Sequence, residues 1–89
     1  MLSPTYTSAF KKEYKRAQKR GQDTGKLRKV IELLLSEKPL PEHYQDHPLR
    51  GNFAGARDCH IEPDWLLIYA VRGNELILLR TGSHANLFK

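Results

Sequence analysis

Cysteine, tryptophan and methionine each occur only once among the 89 residues, and long hydrophobic runs are missing. The lone cysteine, Cys59, excludes an internal disulfide and a zinc site made from paired cysteines. The longest apolar runs are Leu33–Leu35, Trp65–Val71 and Leu76–Leu79, well short of the ~20 residues that a transmembrane helix needs. The first residues, Met1–Pro4, lack the apolar core of a signal peptide. These absences predict a cytoplasmic protein without a membrane segment.

Acidic residues are scarce in the first third of the chain. Residues 1–29 hold nine Lys or Arg and two Asp or Glu, whereas residues 30–89 hold six and eight. The net charge of +5 therefore comes from the first third. This asymmetry predicts an anionic partner, either nucleic acid or an acidic protein. The length and the 39% hydrophobic content predict one folded domain over residues 1–89.

Two helices are predicted after a short first strand at residues 4–7. Phe10, Tyr14 and Ala17 recur at helical spacing, and the helix they define ends at Gly21. The remaining surface of that helix is basic, with Lys11, Lys12, Lys15, Arg16, Lys19 and Arg20. The second helix is capped by Asp23 or Thr24 and ends near Ser36, before two prolines. Its buried stripe consists of Leu27, Val30, Ile31, Leu34 and Leu35.

Three strands are predicted in the second half of the chain, at Arg57–Ile61, Trp65–Val71 and Glu75–Gly82. Residues 62–64 form the first turn and Gly73-Asn74 the second. One helical turn is expected within Ser83–Lys89. The order β-α-α-β-β-β predicts an α+β fold in which two helices pack on one face of a small antiparallel sheet.

The two turns also predict how the strands pair. A two-residue loop at Gly73-Asn74 places Leu67 opposite Arg80, and a loop at Pro63-Asp64 places His60 opposite Leu67. The face expected to receive the helices carries Cys59, Ile61, Leu66, Ile68, Ala70, Ile77 and Leu79. The opposite face carries Asp58, His60, Trp65, Leu67, Tyr69, Leu78 and Arg80. The basic helices should then lie away from His60 and Arg80, and contact an acidic protein or structural RNA instead.

Histidine is the one reactive residue type that the sequence has in quantity, with four in 89 residues. His47 lies in the long connection of residues 39–56, His60 on a strand, and His84 just after the last strand. With Asp64 and Arg80 they suit cleavage of RNA, which supplies its own nucleophile, the 2′-OH. Histidine can serve as acid or base near neutrality, and arginine can bind two phosphate oxygens. Trp65, Tyr69 and Phe88 could stack on bases.

Other interpretations of the same residues are ordinary structural ones. Histidines are often surface or hydrogen-bonding residues, and Trp65 could be a core aromatic. Arg80 could pair with Asp58 or Glu62 across the sheet. His43 and His47 have helical spacing for zinc, but prolines flank them and no cysteine supports a site. We therefore expect no metal and no cofactor.

The motifs of the second half resemble the YafQ branch of the RelE toxins. They are His47-Pro48-Leu49-Arg50-Gly51, Arg57-Asp58 with His60, Pro63-Asp64-Trp65, and Arg80-Thr81-Gly82-Ser83-His84 with Phe88. The resemblance covers the whole chain and implies a compact antiparallel sheet with two helices on one face. It implies a metal-free mRNA endoribonuclease that acts at the ribosome and inhibits translation. It also implies a cognate antitoxin as partner, with the free toxin monomeric.

Site residues follow from the same resemblance. The implied catalytic set is His47, His60, Asp64 and His84, with Arg80 as phosphate clamp. Trp65, Tyr69 and Phe88 would support the site or the RNA. In this hypothesis His84 is the general acid, Asp64 or His47 the general base, and His60 orients the base or stabilises charge.

Two other functions compete with this one. The first is a non-catalytic gyrase poison of the ParE branch, which would need no converging histidines. The second is a plain RNA- or protein-binding module that relies only on the basic helices. Neither explains why three histidines and an aspartate recur in one half of the chain.

Overall fold

The computed structural model describes residues 1–88, which form a five-stranded sheet and three α-helices. The elements are β1 (Ser3–Tyr6), α1 (Ser8–Lys19), α2 (Thr24–Leu35), β2 (His47–Pro48), β3 (Arg57–Glu62), β4 (Trp65–Arg72), β5 (Glu75–Gly82) and α3 (His84–Leu87). The predicted α+β fold is confirmed. Single 3₁₀ turns at Glu42–Tyr44 and Gly51–Phe53 interrupt the long connection. Within residues 1–88, no helix is both long and apolar enough to cross a membrane.

The strands lie in the order β1-β5-β4-β3-β2. β1 is parallel to β5, with Ser3 beside Glu75, and every other pair is antiparallel. The sheet is therefore mixed, not purely antiparallel as predicted. A parallel pair needs a long crossover, and the α1–α2 hairpin is part of the chain that connects β1 to the rest of the sheet.

Both long helices begin at the capping residues that the sequence indicates. The Thr7 hydroxyl accepts a hydrogen bond from the Phe10 N–H, and the Asp23 carboxylate accepts one from the Gly25 N–H, each at 3.0 Å. Gly21 follows α1 with φ at +79°, a left-handed conformation that costs glycine little. The predicted αα-hairpin is thus fixed by local hydrogen bonds at its ends.

The helices pack on one face of the sheet and form the main core. From α1 and α2 it includes Phe10, Ala17, Leu27, Val30, Ile31 and Leu34, and from the sheet Cys59, Ile61, Trp65, Leu67, Tyr69, Leu76 and Leu78. Cys59 is fully buried, and this burial raises the pKa of its thiol to about 12. It is the inert core thiol that its position in β3 predicts.

A second, smaller core lies on the opposite face of the sheet. It contains Ala56, Leu66, Ile68, Ala70 and Leu87, with Leu49, Phe53 and Leu79 packed against it. The prediction that Leu66, Ile68, Ala70 and Leu79 face the long helices is therefore wrong. Placing Cys59 and Ile61 under the helices was correct. α3 and the long connection cover the second face, so β4 is apolar on both of its faces. The alternation of apolar and polar residues therefore could not show which face of β4 the long helices cover.

The strand register departs from the prediction at two bulges. Both turns occur as predicted, because Glu62 pairs with Trp65 and Arg72 with Glu75. A shift between His60 and Glu62 then moves β3 by one residue, so that His60 lies opposite Leu66 instead of Leu67. A bulge in β5 places Arg80 opposite Ile68 instead of Leu67. Each bulge adds one unpaired residue, which reverses the faces beyond it.

Candidate functional site

Three histidines and two aspartates converge at one end of the second face. His47 comes from β2, Asp58 and His60 from β3, Asp64 from the β3–β4 turn, and His84 from the first position of α3. Sheet pairing aligns His47 with Asp58, and α3 returns over the sheet to bring His84 near His60. Residues far apart in the sequence are therefore brought into two neighbouring groups, Asp64–His84–His60 and His47–Asp58, which together contain all four predicted acid–base residues.

Asp64 holds the ring of His84 in place. Asp64 Oδ1 lies 2.6 Å from His84 Nδ1 and accepts a hydrogen bond from the His84 backbone N–H at 2.9 Å. These two hydrogen bonds, the backbone one first, lower the pKa of the Asp64 carboxyl below its ordinary value. An ionised Asp64 fixes a proton on His84 Nδ1 and leaves Nε2 as the reactive atom.

His84 Nε2 lies 3.4 Å from His60 Nε2. Two imidazole nitrogens can share only one proton along such a contact, so one of these rings must accept while the other donates. His60 Nδ1 is buried and makes no hydrogen bond within residues 1–88. The geometry therefore places two imidazole rings side by side, as the acid and the base of one reaction require.

Asp58 forms a second pair with His47, and the site residues predicted from the sequence did not include it. The His47 Nδ1 lies 2.8 Å from the Gln45 carbonyl oxygen, and its Nε2 lies 3.0 Å from Asp58 Oδ1. A carbonyl can only accept, so Nδ1 carries a hydrogen and Nε2 is the ring atom that faces the Asp58 carboxyl. The predicted face of β3 and the Arg57-Asp58-x-His60 spacing were the signals that could have identified it.

Burial controls the charge of Asp58. The residue is 3% exposed, and desolvation raises the pKa of its carboxyl, an effect that His47, His60 and His84 partly offset. A buried carboxyl surrounded by three histidines is typical of a functional site and costs the fold stability.

Arg80 is already paired in this structure. Its Nε and one terminal nitrogen donate to the Glu13 carboxylate at 2.9 Å and 2.7 Å, and the Thr81 N–H donates to the same group at 3.1 Å. The suggested alternative pairing with Asp58 or Glu62 is wrong, since Glu62 binds Lys26 instead. The contact with Glu13 ties β5 to α1, and the role of Arg80 as phosphate clamp stays a prediction.

The three predicted aromatic residues differ in exposure. Trp65 and Tyr69 are each 2% exposed and belong to the core beneath the long helices, so neither offers a ring face to RNA. Trp65 donates through Nε1 to the Thr81 hydroxyl, and Tyr69 donates to Asp46 at 2.7 Å. Phe88 is 42% exposed, with its ring 6.4 Å from that of His84. Only Phe88 can contact a ligand directly.

The basic residues of α1 face in two directions. Lys11 and Lys15 line a groove between α1 and α2. Arg16 and Arg20 line a different cleft, which they share with Asp64. The prediction that the basic helix lies away from the site is therefore wrong for these two arginines, and also for Arg80, which α1 binds directly. It is correct for His60, which lies across the sheet from the helices.

Replacing Asp58 by asparagine should change the pH dependence of stability. A raised pKa in the folded state means that the wild-type carboxyl favours folding at low pH and that this contribution is lost as pH rises through the folded pKa. Asparagine has no such titration. We expect the Tm of the variant, relative to wild type, to be higher at about pH 8 than at about pH 4. Thermal unfolding followed by circular dichroism would measure this, and a constant difference would contradict it.

Comparison with known proteins places the chain in a family. Residues 2–89 match the sequence profile of the family described as bacterial toxin of type II toxin-antitoxin system, YafQ. The mRNA interferase toxin YafQ of Escherichia coli K12 is 48% identical over 84 residues, which cover 93% of this chain and 91% of that protein.

Solved structures agree in fold over the full chain. The E. coli DinJ-YafQ complex contains a chain that is 44% identical, with a TM-score of 0.93 and full coverage of both chains. A metal-bound toxin from Helicobacter pylori is 42% identical with a TM-score of 0.93, covering 99% of this chain and all of that one. The chain therefore belongs to the YafQ family of type II toxin–antitoxin toxins.

Proposed function

We propose that this toxin is an mRNA interferase, a ribosome-dependent endoribonuclease that inhibits translation in the cytoplasm. The observation that carries the proposal is the chain of contacts from Asp64 to His84 to His60, with 2.6 Å and 3.4 Å between the bonded atoms. The cluster contains no serine or cysteine nucleophile, and Cys59 is buried in the other core. A site of acids and bases alone suits a substrate that carries its own nucleophile.

In the proposed reaction the 2′-OH oxygen attacks the adjacent phosphorus, and the bond from phosphorus to the 5′-oxygen breaks. A base removes the 2′-OH proton, and an acid protonates the departing 5′-oxygen, which leaves a 2′,3′-cyclic phosphate. His84 is the general acid in this proposal: while Asp64 accepts a hydrogen bond from Nδ1, the doubly protonated ring can donate from Nε2, the atom that faces His60. Phe88, whose ring lies beside that of His84, supports a base of the RNA.

The geometry favours His60 as the general base over Asp64 and His47, the two residues that the sequence predicts for this role. Asp64 binds His84, and its lowered pKa makes it a weak proton acceptor. His47 Nε2 lies 3.0 Å from Asp58 Oδ1, so this ring faces its own carboxyl partner. His60 therefore accepts the 2′-OH proton, after its contact with His84 opens to admit RNA. His47, beside Asp58, stabilises the developing charge.

The proposed chemistry does not involve a metal. The relative from H. pylori is solved in a metal-bound form. Within residues 1–88, no group of three or more His, Cys, Asp or Glu side chains has the geometry to hold a metal ion. Asp64 and His84 direct their atoms at each other instead of at a common centre. Histidine provides both proton transfers without a Lewis acid.

A cognate antitoxin is the expected protein partner. The E. coli relative is solved as a complex with DinJ, and the net charge of +5 suits an acidic protein. The competing function, a gyrase poison, does not require the cluster of His47, His60 and His84. A plain binding module does not require the Asp64–His84 pair.

Primer extension on an mRNA translated in a purified system tests the function. Wild-type protein should produce new mRNA 5′ ends inside codons at the ribosomal A site, and omission of ribosomes should remove most of them. Intact mRNA, together with altered DNA supercoiling in a parallel gyrase assay, would contradict the proposal and favour the gyrase poison. Tight, salt-sensitive RNA binding without cleavage would favour the binding module.

A further inference from the structure

A cleft of about 350 Å³ lies beside the acid–base cluster, on the side of α1. Its walls include Arg16, Arg20 and Gln22 from the α1 region, and Asp64, Ser83 and Asn86 from the turn and the start of α3. The polar groups that line the cleft include two guanidinium groups, two side-chain amides, two hydroxyls and two carboxylates. Guanidinium, amide and hydroxyl groups are those that bind phosphate and sugar oxygens in nucleic-acid complexes.

The cleft is continuous with the catalytic cluster through one residue. Asp64 lines the cleft and is also hydrogen-bonded to His84. A strand whose scissile phosphate lies at His84 would therefore place a neighbouring nucleotide at the mouth of the cleft.

The charge available in the cleft is positive. Arg16 and Arg20 lie one helical turn apart and are exposed, and neither forms an ion pair within residues 1–88. Two acidic residues also line the wall: Glu13, which is paired with Arg80, and Asp64, which is hydrogen-bonded to His84. The two guanidinium groups, which have no such partner among residues 1–88, attract a phosphodiester.

We propose that Arg16 and Arg20 bind the mRNA backbone at a phosphate next to the scissile one. This inference rests on the proposed function, because it assigns a subsite to the same reaction. The contact positions the substrate strand and is separate from proton transfer. Lys11 and Lys15, which face the groove between the two long helices, have no part in it.

A double-mutant cycle between protein and RNA tests the contact. Ribosomes are programmed with three synthetic mRNAs: one unmodified, and one each with a neutral methylphosphonate at the phosphate 5′ or 3′ to the scissile one. We expect wild-type kcat/KM to fall about tenfold at one of the two positions, as loss of a charged hydrogen bond predicts. For the variant Arg16→Ala/Arg20→Ala, a methylphosphonate at that position should lower kcat/KM by less than about twofold relative to the unmodified mRNA.

The matched control is Lys11→Ala/Lys15→Ala, which removes the same charge from the same helix. It should remain as sensitive to the methylphosphonate as wild type, and both double variants should keep the wild-type Tm. The proposal is overturned if the arginine variant is as sensitive as wild type, or if wild type is sensitive at neither position. Failure of wild type to cleave the unmodified mRNA would instead refute the proposed function.

Discussion

Replacing His84 by alanine should reduce mRNA cleavage by about 10²- to 10⁴-fold, the range for loss of a general acid. The ring is 52% exposed as a side chain and contributes to no core, so its removal should leave the fold and antitoxin binding intact. Cleavage rates on translating ribosomes and the growth of expressing cells would both report the loss. Retained toxicity in this variant would remove His84 from the mechanism.

Two further variants separate the role of His84 from general damage to the site. Asp64→Asn keeps the shape of the turn but removes the charge that fixes the His84 tautomer, so it should lose much of the activity as well. His43→Ala makes the same chemical change as the His84 variant at an exposed ring that stacks on Tyr44, and it should keep wild-type cleavage. Equal losses in the His43 and His84 variants would contradict a specific acid.

Replacing Trp65 by alanine should lower the free energy of unfolding by about 3–5 kcal/mol, a large part of the stability of a small domain. The indole is 2% exposed, and its N–H donates to the buried Thr81 hydroxyl at 3.0 Å. Alanine would leave a cavity under the helices and a hydroxyl without its donor. Activity should fall because the protein unfolds, not because a stacking surface is lost.

Urea denaturation followed by circular dichroism would measure this effect, since Trp65 is the only tryptophan and its fluorescence is lost with it. Phe88→Ala is the control, because Phe88 is 42% exposed. That variant should change stability by less than about 0.5 kcal/mol while weakening cleavage. If Trp65→Ala kept its stability and lost only RNA binding, the indole would be a ligand contact after all.

The elements of the fold could be predicted from local signals. Caps at Thr7 and Asp23, the glycine after α1 and the two-residue turns all correspond to backbone requirements that single residues reveal. The strand Glu75–Gly82 was predicted to the residue. The parallel position of β1 was not, because the pairing of Ser3 with Glu75 depends on the tertiary path of the chain.

It was harder to predict which face of the sheet each site residue lies on and which residue it contacts, for a physical reason. The bulges in β3 and β5 leave no signal in hydrophobic alternation when both faces of β4 are buried, so Trp65 and Tyr69 were placed on the wrong side. The Arg80–Glu13 contact joins residues 67 positions apart. By contrast, the cluster of His47, His60, Asp64 and His84 was named from the sequence, and the structure brings these residues together.

The parallel pairing of β1 with β5 also affects how quickly the toxin forms. The Thr7 hydroxyl donates to the carbonyl oxygen of Leu79, which is 72 residues further along the chain. The strand that β1 pairs with is β5, the last long strand. Contacts between segments so distant in sequence slow folding, because the loop between them must close first. We expect the helical hairpin to form early and the sheet that carries the site to be completed late. A newly made chain should therefore lack the assembled site until β1 pairs with β5.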